Sequence, residues 1–298
     1  MSIVKRKISK DFLIIFTFAL PWIIGFLVFG IYPIIISLYY SLCQYDVLQQ
    51  PMFIGFENYK NILTKDVYFW KTLWNTGIYT IFRVPINILL SLLIAILLNR
   101  SLIASGIIRA TYFLPSLVSG VALSVIWIWI FNPQIGLFNI ILGFFGLKGP
   151  LWLQDPNWSK ISLVIMNIWS VGGGRMLVFL AALQNINPNL YEALKLDGGN
   201  DLHCFWHITL PMISPILFLW SVIEVIASLQ VFTEAFIMTK GGPLDSTLFY
   251  NLYLYNQAFE NFNMGYASAL AWLLLIITIS ITFFQFRLSK KYVYYEGL

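Results

Sequence analysis

The run LWNTGIYTIFRVPINILLSLLIAILL, Leu73 to Leu98, carries one charged residue, Arg83, in a stretch long enough to cross a lipid bilayer. About 20 predominantly apolar residues suffice for a crossing, and in hydrocarbon each backbone amide must find its partner within its own segment, which makes the run a helix. Comparable runs lie at about 12 to 42, 107 to 131, 161 to 183, 212 to 238 and 265 to 286. The expectation is an all-α, polytopic integral membrane protein with six transmembrane helices. Composition agrees: of 298 residues 59% are hydrophobic and 17% aromatic, and only 10% are charged, against roughly 25% in soluble domains.

The first run is longer than a bilayer needs, so a tilt or a break at Pro21 or Pro33 is expected. A signal peptide is the other reading of that N-terminus. It fits poorly, because the apolar run is too long and no small-residue cleavage site follows. Lys and Arg set orientation. They cluster at the N-terminus (Lys5, Arg6, Lys7, Lys10), in the second connection (Arg100, Arg109), in the fourth (Lys195) and at the C-terminus (Arg287, Lys290, Lys291). Lys60, Lys65, Lys71, Lys148, Lys160 and Lys240 are spread over the longer opposite connections. Both termini are therefore expected in the cytoplasm. The same residues account for the net charge of +5 without a nucleic-acid partner. In this topology Cys43 and Cys204 face opposite sides, which excludes a disulfide between them. No heptads, tandem repeats or low-complexity tail are present.

One polar tract interrupts the apolar chain: EALKLDGGNDLHCFWHITLP, Glu192 to Pro211. Asn187 is suited to cap a helix that starts at Pro188, where a missing N–H costs nothing. Leu190, Ala193, Leu194 and Leu196 recur near helical spacing, and Gly198 stands where a left-handed cap is wanted. Asn200 is placed to cap a second helix carrying Leu202, Phe205 and Ile208, and Pro211 to kink the entry into the next span. A short amphipathic helix, a glycine turn and a second helix make a docking element for a groove on another protein.

Glu192-Ala193, Gly198 and the trailing Ile208-x-Leu210-Pro211 resemble the EAA loop of permease subunits in binding-protein-dependent ABC importers. The form with Asp197 before Gly198 is similar to the carbohydrate-uptake branch that includes the maltose and glycerol-phosphate systems. Leu194 replaces the usual second alanine, and Gly199 stands where alanine is common. IGFENYKNIL, FWKTLWNT, RATYFLPSLVSGVALSVIWIWIF, FLAALQNINPNLYEA and TKGGPLDSTLFYNLYLYNQAF extend the resemblance along most of the chain.

The resemblance implies the type I ABC importer permease fold. Residues 1–70 would form an N-terminal cytoplasmic tail, first span and external loop, and 71–286 a five-helix core with the coupling loop at about 187–211. Residues 287–298 would form a cytoplasmic tail. It implies a second, homologous permease, two copies of a cytoplasmic ATPase, an extracytoplasmic sugar-binding protein and a surrounding bilayer. ATP and magnesium would sit on the ATPase, leaving no cofactor on this chain. Glu192, Ala193, Leu194, Asp197, Gly198, Gly199, Ile208, Leu210 and Pro211 would then form the ATPase-coupling element.

Neither GGGR at 172 to 175 nor KGGP at 240 to 243 is a phosphate-binding loop. Gly172 to Gly174 read as permitting close helix approach or a bend, with a backbone site for cargo as the sharper alternative. His203 and His207 stand at i, i+4 beside Cys204, a spacing open to zinc, but no further ligand is evident and no metal is expected. No nucleophile or acid–base pair points to an enzyme. Charges within the spans say more, because each costs several kcal/mol unless it faces a cavity or a partner. Arg83, Arg175, Glu224 and Glu234 are such charges. One reading is Arg–Glu pairing between helices. The other is a hydrated path in which Arg83, Asn87, Asn167, Arg175, Glu224 and Gln230 meet cargo while Trp169 or Trp220 stacks on a sugar face. Two arginines on that path would favour acidic or phosphorylated sugars. The leading function is a carbohydrate importer permease, and the alternative is a transporter driven by an ion gradient, which would show inverted repeats with paired broken helices.

Overall fold

The computed structural model describes residues 2–99 and 105–294, with side chains described over 14–99 and 106–294. The side chains of Lys5, Arg6, Lys7 and Lys10, all of Arg100 and residues 295–298 of the C-terminal tail lie outside that set. The described residues are almost wholly helical, with one pair of two-residue strands. They divide into two compact units, Met1–Asp66 with Leu254–Leu275, and Val67–Tyr253 with Ile276–Leu298.

In the first unit the helix Ser2–Phe26 runs through Pro21, widens into a π turn at Leu27–Ile31, and continues as Tyr32–Ser41. Proline lacks an N–H and its ring crowds the carbonyl four residues back. The wide turn lies where Pro33 needs relief, so of the two prolines the second distorts the span. Phe18 and Phe29 are 83% and 84% exposed, as suits a helix whose solvent is lipid. A hairpin of Cys43–Gln44 and Met52–Phe53 follows. Asn58, on helix Glu57–Lys65, donates to the carbonyls of Ser41 and Cys43 at 2.9 Å each. The start of helix Met264–Tyr292 is sewn to this hairpin: Gly265 N–H donates to Tyr45 O at 3.0 Å, and Tyr266 OH donates to Asp66 at 2.6 Å. A Cβ at Gly265 would strike the Cys43 carbonyl, so only glycine permits the approach.

In the second unit, three of the four apolar runs depart from smooth spans. The helix Val67–Leu98 is continuous despite Pro85. The run expected as one span at 107 to 131 is two helices, Gly106–Leu117 and Gly120–Ile130, bent by 97°. Pro115 ends the first, and Ser119 restarts the second by accepting from Ala122 N–H at 3.3 Å. The run expected at 161 to 183 is Pro156–Ile168 and Gly174–Gln184, with turns at 169–173 between them. The fifth runs from Asp201 to Met238, including a π turn at Phe205–Thr209 ahead of Pro211. Four helices are thus long and apolar enough to cross a bilayer, or five when the bent pair is one span. The six-span expectation is compatible with this set only if the split fourth run, whose second piece Gly174–Gln184 is a shorter apolar helix, is counted as a further crossing.

Leu92, Ala95 and Leu98 pack with Met176, Phe179, Leu180 and Leu183, joined by Ile186 and Ile213, as a buried apolar cluster beside the tract at 187–211. Ile208 and Tyr191 lie against that cluster.

Candidate functional site

The two helix breaks face each other and leave a cavity of about 440 Å³. Its wall includes Pro115, Ser116 and Gly120 from the bent helix, Asn167, Ser170, Gly173 and Arg175 from the split one, and Trp220, Glu224 and Glu234. Glycine allows the approach: a Cβ at Gly172 would sit 2.5 Å from the Tyr112 carbonyl oxygen, and one at Gly173 would sit 2.7 Å from Ser116 Cβ. Gly173 and Gly174 also line the cavity. The glycine run therefore serves both close approach and a backbone surface open to the cavity.

Arg175 opens the helix Gly174–Gln184 and forms an ion pair with Glu224 on the helix Leu210–Leu229. Both side chains are nearly closed off, at 11% and 7% exposure. Asn87 donates to the other Glu224 oxygen at 3.4 Å. Behind Asn167 lies a second polar set: its Nδ2 donates to Tyr79 OH at 2.8 Å and to Glu234 Oε1 at 3.4 Å. The Arg83 guanidinium stands 5.6 Å from the centroid of the Tyr79 ring, a cation–π distance.

Of the residues expected on a cargo path, Asn167, Arg175, Trp220 and Glu224 share this wall. Asn87 stands one layer behind it through Glu224, and Arg83 stands behind it over Tyr79. Trp169 is 59% exposed and meets Trp127 edge-on at 6.3 Å, outside the wall. Gln230 ends its helix exposed, its carbonyl accepting from Asn251 at 3.2 Å. Neither Trp169 nor Gln230 lines the cavity. Polar wall residues outside the set expected on a cargo path are Ser116, Ser170, Thr233 and Glu234. The LPSLVSG stretch, with proline, serine and glycine inside an apolar run, was the available signal for Ser116.

The tract at 187–211 is built as its caps dictate. Asn187 accepts from Asn189 N–H at 3.0 Å and starts the helix Pro188–Leu196. Gly199 N–H donates to Leu194 O at 2.9 Å and Gly198 N–H to Lys195 O at 3.1 Å, with Gly198 at φ +85°. That pair of bonds around a left-handed residue is a Schellman cap. Asn200 accepts from His203 N–H at 2.9 Å while His203 Nδ1 faces Asn200 N–H at 3.5 Å. His207 Nδ1 stands 3.0 Å from the His203 carbonyl. The histidines thus belong to the cap and the first turns after it. Tyr191 OH meets Thr209 Oγ1 at 3.0 Å and ties the short helix to the following span.

Glu192, Ala193 and Asp197 are exposed, and Leu196, Leu202 and Trp206 are 89%, 66% and 56% exposed. Ile208, Leu210 and Pro211 are half-buried where the tract joins the span. A Cβ at Gly199 would meet Leu194 Cγ and Leu194 O at 2.8 Å each. The two departures from the family pattern are therefore neighbours: leucine at 194 occupies room that glycine at 199 leaves open.

A polytopic helical chain with a polar cavity between broken helices and a projecting capped knob is a membrane transport subunit. Residues 87–294 match the family described as binding-protein-dependent transport system inner membrane component, and the chain belongs to that family. It is 40% identical to the probable ABC transporter permease protein YesP of Bacillus subtilis (strain 168), over 98% of this chain and 95% of the relative. It is 35% identical to the lactose transport system permease protein LacF of Rhizobium radiobacter, over 92% and 93%. A solved bacterial alginate ABC transporter, in complex with an alginate pentasaccharide-bound periplasmic protein, superposes with a TM-score of 0.80 at 25% identity, covering 96% of each chain. The chain is a permease of a carbohydrate ABC importer, a multi-pass component of the inner membrane with the helical fold of such permeases.

Proposed function

We propose that this permease forms half of a sugar path and is driven through the knob at 187–211 by a separate ATPase, ATP and magnesium being held there. The observation that carries the reading is the knob's construction. Both ends of the Pro188–Leu196 helix are capped by hydrogen bonds, Tyr191 anchors it to the next span, and Leu196 projects at 89% exposure. A stiff helix with a projecting apolar side chain transmits a push, whereas a loose loop would dissipate it. The basic clusters support a cytoplasmic position for the knob and both termini. A second permease would complete the path, two ATPase copies would seat the paired knobs, and a periplasmic binding protein would deliver cargo; the alginate transporter was solved in complex with a periplasmic protein that holds an alginate pentasaccharide.

On cargo, the relatives divide: one carries lactose and another the acidic polysaccharide alginate. Acidic or phosphorylated cargo, which free arginines would favour, is the weaker reading, because Arg175 is engaged by Glu224 and Arg83 stands behind the wall. The test of coupling is co-purification. The ATPase should come down with the wild-type permease pair and be lost, by about tenfold or more, from Glu192→Lys; retention of the ATPase would contradict the reading. Tenfold corresponds to about 1.4 kcal/mol of lost contact energy.

A further inference from the structure

The cavity's charges are not equally available to a ligand. Arg175 and Glu224 answer each other. Arg83 lies over the Tyr79 ring and does not line the cavity. Glu234 lines it, is half-buried, and makes no ion pair among the described residues. Asn167 donates a long 3.4 Å hydrogen bond to it, and the Arg83 guanidinium acts on it through space without reaching ion-pair distance. Trp220 also lines the cavity, and its indole N–H is buried without a hydrogen-bond partner.

Building on the importer reading above, we propose that Glu234 and Trp220 are the groups this cavity offers to cargo, and that the path takes uncharged, hydroxyl-rich saccharides. A sugar hydroxyl both donates and accepts, so a carboxylate acceptor set near an indole donor suits it. The Trp220 ring adds an apolar face for the C–H side of a pyranose. A uronate or phosphate would meet the Glu234 carboxylate in a partly desolvated wall whose one lining cation, Arg175, is already paired with Glu224, while Arg83 stands behind that wall over Tyr79. Arg175 is then a positioning residue for Glu224, and Glu234 determines specificity.

The test reads the cavity's charge without knowing the cargo. Both native cysteines, Cys43 and Cys204, are buried and unpaired. In the assembled transporter in membrane vesicles, with these replaced by serine, Ser170→Cys supplies a thiol in the wall. Its modification rates by a cationic and an anionic methanethiosulfonate are each divided by the rate with free 2-mercaptoethanol. The cationic reagent should be favoured by about tenfold or more, the lower end of charge focusing in a cleft, and Glu234→Gln should bring the ratio close to one. Equal rates, an anionic preference, or a cationic preference that survives Glu234→Gln would overturn the proposal. If neither reagent reacts, the cavity is closed to small solutes and the path reading itself falls.

Discussion

Arg175 and Glu224 lie 49 positions apart and meet in the cavity wall of the second unit with both side chains nearly buried. Removing one member of such a pair leaves an uncompensated buried charge, which costs about 3 to 5 kcal/mol, whereas removing both is far milder. Arg175→Gln should therefore lower thermal stability of the purified protein in detergent, and Arg175→Gln with Glu224→Gln should recover most of it. If the double variant is no better than the single, the two side chains do not act as a pair. Pairing of arginine with glutamate within the spans was one of the two readings the sequence allowed, and it holds for Arg175 and Glu224 while Arg83 and Glu234 form no ion pair among the described residues. Which arginine takes which glutamate was not legible there, because two of each allow several pairings and the choice depends on helix rotation. The same rotation sends Trp169 away from the cavity while Trp220, expected beside it, remains in the wall.

At the scale of elements, caps were readable and breaks were not. Asn187, Gly198 and Asn200 act where a residue-by-residue reading places them, because capping depends on local backbone groups. The interruptions at 118–119 and 169–173 sit inside apolar runs, and an apolar window reports burial in lipid without reporting helical continuity. Pro115 and the triple glycine were the local signals, but proline and glycine also occur within unbroken membrane helices such as Val67–Leu98. Two predictions belong to these elements. Gly198→Ala forces a side chain into the left-handed region at about 1 to 2 kcal/mol, and should reduce ATP-driven uptake more than Gly198→Asn. Gly199→Ala should impair coupling, since its Cβ meets Leu194, and adding Leu194→Ala should restore part of it by freeing the side-chain half of that clash. Uptake that is unchanged in Gly199→Ala would show that the turn yields without cost.

For the whole molecule, the central claim is that movement enters at the knob and acts on the cavity between the broken helices. The class of protein was legible because membrane solvation forces helices and the knob departs so sharply from the apolar background. Cargo charge was not, because a sequence counts arginines without showing which are already engaged. The most direct measurement is uptake of labelled saccharide into vesicles holding the purified assembly, with ATP hydrolysis recorded in the same sample. Uptake should require ATP and the ATPase subunit, and Glu192→Lys should abolish uptake while leaving the isolated ATPase active. Saccharide accumulation by this chain in vesicles free of ATP and ATPase would contradict the account.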